Sequence, residues 1–308
     1  MIVCLKESNL TATRRLSLPP SLCNVSAAGW TLSPSVATEL ARRRPQRCTN
    51  CFVWNISVLI DEPSLCQAMS STVDVIFLIS SDVRHVHHRS KIRNSWAHVT
   101  RNNTSHFRHV FLLGTTVNVT HMDGVRQESE EFHDLLVGDF LDSYWNLTFK
   151  TLMGLHWAAN SCRNASFFMK TDDDVWHNTK MLTRTLRKRK DLVSAGVVGF
   201  CKSDAPVVRT PDSKWCVPKE YYPDDIYPPY CYGFGYVGRL EVAAKVVAAS
   251  RHVPFFFFDD VYVGMCLEQT GIKLHTLPGF VHHGGPCKRN ISDIAVHDPL
   301  HWRVWPGC

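Results

Sequence analysis

No run of about 18 or more apolar residues occurs in the sequence, the length a helix needs to cross a bilayer, so the chain as it stands is not expected to span a membrane. There is no internal repeat and no low-complexity tract. Glycine and proline number only 16 each, which excludes a collagen-like chain. A Gly-rich phosphate loop ending in Gly-Lys-Ser/Thr is missing, which counts against phosphoryl transfer of that type. The opening 20 residues carry Lys6, Glu7, Arg14 and Arg15 and lack the apolar core of a signal peptide. A large excess of charge is missing too. The formal net charge is +6, which suits an anionic small-molecule ligand but is not the dense basic surface of a nucleic-acid binder.

What is present is the material of a folded, exported protein. The 308 residues are 44% hydrophobic and 20% charged, enough to bury a sizeable core. There are 12 cysteines, and Asn-x-Ser/Thr triplets begin at Asn9, Asn24, Asn55, Asn102, Asn103, Asn118, Asn146, Asn164 and Asn290. Possible glycan acceptors and an even cysteine count together point to the secretory pathway, where disulfides persist. With no leader visible, the expectation is that Met1 is an internal start. Cys48-x-x-Cys51 lacks a second Cys/His pair at zinc-finger spacing and reads as a loop disulfide. The basic runs 42–44 and 187–190 read as solvated faces. Clustered histidines (His85, His87 and His88; His282 and His283) read as solvent- or glycan-facing loops, with a second metal site as the alternative.

Residues 1–56 lack sustained periodicity, contain Pro19-Pro20, Pro34 and Pro45, and read as a stem or poorly ordered linker; 57–308 read as one catalytic domain. Strands are predicted at 73–79, 109–113, 167–170 and 197–200. Helices are predicted at 89–98, 127–136, 148–160, 178–189 and 261–269. This alternation implies an α/β domain with a largely parallel sheet.

Three segments carry the chemistry. Lys170-Thr171-Asp172-Asp173-Asp174-Val175-Trp176 sets three carboxylates at the carboxyl end of an apolar strand, where open α/β sheets bind ligands. Asp172 and Asp174 alternate and can share a hard cation, and a solvated acidic turn is the competing reading. Four phenylalanines, Phe255 to Phe258, then Asp259 and Asp260, open the helix predicted at 261–269. One acid is available to cap and the other to face a cleft as a general base. In Tyr227-Pro228-Pro229-Tyr230-Cys231-Tyr232-Gly233-Phe234-Gly235, glycines permit close backbone approach and aromatics suit sugar-ring faces; a packed Gly-rich hairpin is the competing reading.

The order and text of the segments resemble the β-1,3-galactosyltransferase and β-1,3-N-acetylglucosaminyltransferase family, glycosyltransferase family 31. The resemblance spans about residues 57–308. It includes Arg89-Ser90-Lys91-Ile92-Arg93-Asn94-Ser95-Trp96, Asp139 to Lys150, the three aspartates, Ser213-Lys214-Trp215-Cys216, Asp259-Asp260-Val261-Tyr262-Val263-Gly264 and Ile294-Ala295-Val296-His297. It implies a GT-A-type nucleotide-sugar transferase fold, a mixed and mostly parallel sheet flanked by helices. It implies a UDP-sugar donor, a divalent cation such as Mn2+, and inverting transfer of a hexose to the 3-hydroxyl of a glycan acceptor on a glycoprotein, glycolipid or proteoglycan. By the same resemblance Asp172, Asp174 and His297 fall on metal-binding positions and Asp260 on the catalytic base. Arg89, Arg93, Asp142, Lys150 and Asp173 fall on donor-binding segments, and Trp215, Tyr230, Gly235 and Asp259 on the sugar- and acceptor-binding wall. Galactose is the expected donor sugar. The family also implies a Golgi lumenal location and a membrane anchor that this chain does not display.

The sequence departs from the family at Asp259, a smaller first acid, and at Trp176, Phe234, Arg239 and Ala97, none of which removes a proposed chemical group. Other readings are a β-1,3-N-acetylglucosaminyltransferase, a non-catalytic relative that binds glycan or nucleotide sugar, and a metal-dependent phosphoryl-transfer enzyme. A nucleic-acid role is not expected.

Overall fold

A computed structural model describes residues 25–26, 29–30, 56–66, 73–210, 213–282 and 292–297. Apart from residues 25–26, 29–30 and 56, the expectation for the stem lies outside the described residues, as do those for the basic run 42–44, Cys48-x-x-Cys51, His283 and the acceptors Asn9, Asn24, Asn55 and Asn290.

Eight strands form the main sheet: β1 (Val58–Ile60), β2 (Val73–Ser80), β3 (Phe107–Thr115), β4 (Leu135–Leu141), β5 (Ala165–Asp172), β7 (Gly196–Lys202), β8 (Tyr230–Arg239) and β9 (Lys273–Thr276). Their order is β9-β7-β8-β5-β2-β3-β4-β1. β5, β2, β3 and β4 run parallel, as do β9 and β7, while β8 and β1 run against their neighbours. The fold is thus the mixed, mostly parallel α/β arrangement expected. A smaller sheet joins β6 (Val175–His177), β10 (Phe280–His282) and β11 (Ala295–His297) in the order β10-β11-β6.

The central strands are buried and mostly apolar because both faces are covered. Alternate side chains of β2 serve two cores: Ile76 and Leu78 on one side, Val75, Phe77 and Ile79 on the other. The first core packs under α3 (Leu147–Ser161), α6 (Leu240–Ser250) and α7 (Asp259–Thr270). The second packs under α1 (Val86–Arg93), α2 (Val119–Phe132), α4 (Thr179–Lys188) and α5 (Lys190–Ala195). Among the described residues no helix is long and apolar enough to cross a membrane.

The differences from sequence expectation are local. The helix expected over 127–136 is α2 ending at Phe132, with Leu135 and Leu136 already in β4. Residues 89–98 divide into α1 and a 3-10 turn, Trp96–Thr100. As expected, the four phenylalanines lead into a helix, α7, and they do so inside an aromatic cluster with Trp145, Phe149 and Tyr221. Cys66–Cys162 and Cys201–Cys231 are disulfides. Asn146 is fully buried and its amide donates to the Leu141 carbonyl, so that triplet offers no glycan acceptor in the folded chain.

Candidate active site

The three aspartates sit where β5 ends, beside the carboxyl ends of β2 and β3. Parallel register pairs Asp172 with Ser80, and the Asp173 N–H donates to the Ser80 carbonyl. From this turn the carboxylates go three ways.

Asp172 meets the Lys170 ammonium at 2.8 Å. Lys170 is 2% exposed and also donates to the Gly233 carbonyl at 2.7 Å and reaches Asp259 Oδ2 at 3.3 Å. Register explains this: β8 runs antiparallel beside β5, with Tyr236 opposite Lys170 and Gly235 opposite Thr171. Asp259, at the start of α7, also accepts from the Thr151 hydroxyl at 2.6 Å. Its neighbour Asp260 accepts from the Gly233 N–H at 3.3 Å and from the Val261 N–H at 2.8 Å. One buried ammonium and one glycine therefore tie the aspartate turn to the acids of α7. The α7 N-cap is Phe258, so neither acid is spent as the cap residue.

Burial opposes the charge on Lys170, yet the carboxylates of Asp172 and Asp259 hold its ammonium above the usual lysine range. Burial and the adjacent Asp259 push the Asp260 carboxyl up to about 7, with Lys170 pulling the other way. A carboxylate poised there is suited to accept a proton near neutrality.

Asp174 lies 3.4 Å from His297 Nε2, and its Oδ1 is shielded from solvent with no hydrogen-bond partner among the described residues. Antiparallel pairing of β11 with β6 sets His297 opposite Val175, next to Asp174. An unsatisfied carboxylate oxygen beside an imidazole fits a divalent cation such as Mn2+. Phe234 and His282 stack on the His297 ring at 5.6 and 5.3 Å.

Asp173 turns instead toward α1. It accepts from the Ser81 hydroxyl at 2.6 Å and meets His85 Nδ1 at 2.9 Å and His88 Nδ1 at 3.5 Å. His85 and His88 are thus half-buried partners of an acid, where the sequence suggested open loops.

The expected donor-binding cations lie beneath this surface. Arg89 is fully buried, paired with Glu128, and touches Ser81. Lys150 donates to the Ser81 carbonyl and to Asp142, whose other oxygen accepts from the Gly114 N–H. Arg93 stands further out, paired with Glu128 and Asp134 and lying 4.0 Å from the Phe132 ring. It lines a separate cavity of about 300 Å3 with His109 and His133, away from the aspartate turn. Of the expected sugar wall, Tyr230 is half-buried and stacks on Tyr232, and Trp215 is exposed beside Lys214. Gly235 is buried against Met169 and Phe280 and does not face the crevice.

Two residues at the crevice escape the sequence reading as functional, Lys170 and Tyr144, while Gly233 is marked there only for close backbone approach. A β-carbon on Gly233 would lie 3.1 Å from Lys170 Nζ. Tyr144 packs on Phe258 and lies 5.0 Å from Lys214 Nζ; burial and the charges of Asp260 and Asp259 raise its hydroxyl pKa. All three stand inside motifs, which is the only signal that marked them.

Residues 87–278 match the galactosyltransferase family profile. Similar proteins include β-1,3-galactosyltransferase 5 of Pan troglodytes, 40% identical over 68% of this chain and 71% of that one. β-1,3-Galactosyltransferase 1 of Mus musculus is 36% identical over 73% of this chain and 68% of that one. Among solved structures, the apo form of mouse xyloside xylosyltransferase 1 is similar at 9% identity and a TM-score of 0.33, over 74% of this chain and 98% of that one, too distant to bear on fold or activity. The profile runs from α1 through β9 and so takes in both acidic segments that meet on Lys170; with that span and those identities, the chain belongs to the galactosyltransferase family of glycosyltransferases.

Proposed function

We propose that the protein is an inverting β-1,3-galactosyltransferase that moves galactose from UDP-galactose to the 3-hydroxyl of a glycan acceptor. The observation that carries the reading is the junction at Lys170, which joins the acids at the end of β5 to those at the start of α7. The names of the similar proteins supply the sugar and the linkage.

Ionised Asp260 is the general base: it takes the acceptor hydroxyl proton as that oxygen attacks the anomeric carbon. Gly233 and Val261 hold the carboxylate in position through their N–H groups. Asp174 and His297 would hold Mn2+, which when bound would offset charge on the departing UDP, while Asp172 is engaged by Lys170. Arg89, Lys150 and Asp142 act from below by fixing Ser81 and the strand ends. Tyr230, Trp215 and Tyr144 supply aromatic surface for the sugars. The catalytic domain spans 57–308, preceded by a stem. The two disulfides and the acceptor triplets support a lumenal compartment, assigned as the Golgi, with membrane attachment through an anchor as in the family.

A donor screen tests the reading. With Mn2+ and a β-linked N-acetylglucosaminide or galactoside acceptor, UDP-galactose is expected to turn over in preference to UDP-N-acetylglucosamine. Chelation is expected to abolish transfer and added Mn2+ to restore it. Full activity in chelator would remove the metal role of Asp174 and His297.

A further inference from the structure

The crevice does not use every metal-ligating group near it. His85 and His88, three residues apart at the start of α1, turn their Nδ1 atoms onto the same carboxylate, that of Asp173. One ligand atom from each of the three residues lies within 4.8 Å of the other two. The imidazole rings lie 4.4 Å apart, centroid to centroid, tilted by 31°.

We propose that His85, His88 and Asp173 form a second divalent-cation site, suited to Zn2+ and separate from the Asp174–His297 pair. Zinc bound at its usual distances to nitrogen and oxygen sets neighbouring ligand atoms about 3.4 Å apart in a tetrahedron. His85 Nδ1 stands 2.9 Å from Asp173 Oδ2 and His88 Nδ1 3.5 Å from Asp173 Oδ1, so each imidazole already lies near that spacing from one oxygen of the carboxylate. Two imidazoles and one carboxylate are a common zinc donor set, and a water completes four-coordination. The outer side is open for it: the side chains of His85 and His88 are 41% and 28% exposed. The Ser81 hydroxyl, donating to Asp173 and itself touched by Arg89, orients the carboxylate from behind, as outer partners do for metal ligands. Each histidine binds through its Nδ1 lone pair and keeps its proton on Nε2. An ion here ties the first turn of α1 to the aspartate turn, and that effect is read as stability.

Co2+ added to the metal-stripped protein is the probe. Wild type is expected to bind one equivalent at this site, with the visible d–d bands of four-coordinate nitrogen–oxygen ligation and without thiolate charge transfer in the near ultraviolet. Asp174→Asn is expected to keep those bands, and His85→Gln/His88→Gln to lose them. Zn2+ at a hundredfold excess over its Kd is expected to raise the Tm of wild type and Asp174→Asn by about 5 °C and to leave the double variant unmoved. His88→Gln alone removes one ligand from a half-exposed position, and in the folded protein it is expected to weaken Co2+ binding at least tenfold. Bands that never form in wild type, that persist in the double variant, or that vanish in Asp174→Asn would each overturn the site.

Discussion

Asp260 is held by two backbone N–H groups, yet burial and its neighbour Asp259 keep its carboxyl near pH 7. The groups facing it are Asp259 from α7, Lys170 from β5, and the hydroxyls of Tyr144, Tyr227, Tyr230 and Tyr236. Because a base acts only when ionised and its folded pKa is raised, activity is lost as pH falls through that value. The kcat/KM profile with saturating Mn2+ is expected to be level above about pH 7 and to fall about tenfold per unit below it. A profile flat down to pH 5 would take the role from Asp260. At this scale the motif acids could be read from sequence because carboxylates after an apolar strand have few structural uses. Lys170 could not, because its role comes from tertiary placement: β8, paired with β5, brings Gly233 to its ammonium, and the start of α7 brings Asp259.

The elements meet with little clearance. Gly264 on α7 faces the chain at Pro229 and Tyr230, where a β-carbon would lie 2.6 Å from the Pro229 carbonyl oxygen and 2.7 Å from the Tyr230 β-carbon. Backbone cannot yield there as a flexible side-chain tip can. Gly264→Ala is expected to destabilise the fold by about 1–3 kcal/mol, measured by denaturant titration. It should also lower transfer, since the strain lands between α7 and Tyr230; an alanine variant of wild-type stability would show that the helix has room to move. Long periodic elements such as α3 followed from their pattern. The α2–β4 boundary did not, because Leu135 and Leu136 continue an apolar spacing that suits helix and buried strand alike until Asp134 and its partners fix the turn. The phenylalanine run packs its side chains on α3 and Tyr221 and stays outside the sheet.

At the scale of the molecule, the order of strands brings distant parts of the chain to one edge of the sheet. The Cys66–Cys162 disulfide closes a loop of 96 residues that contains β2, β3, β4 and α3. Replacing both cysteines with alanine is expected to cost about 2–5 kcal/mol, since so long a loop gains much freedom in the unfolded chain; equal unfolding midpoints for the two proteins would refute it. His297 reaches Asp174 only because β11 pairs with β6, a contact that motif spacing alone does not encode. The galactosyltransferase reading rests on both acidic segments facing one substrate. Its most direct test is the rate of transfer from UDP-galactose by wild type and by Asp260→Asn, compared at matched Mn2+ and matched thermal stability. The expected result is a β-1,3-linked product from wild type and a turnover lower by about 10²- to 10⁴-fold in the variant. A folded Asp260→Asn protein that transfers galactose at the wild-type rate would contradict it.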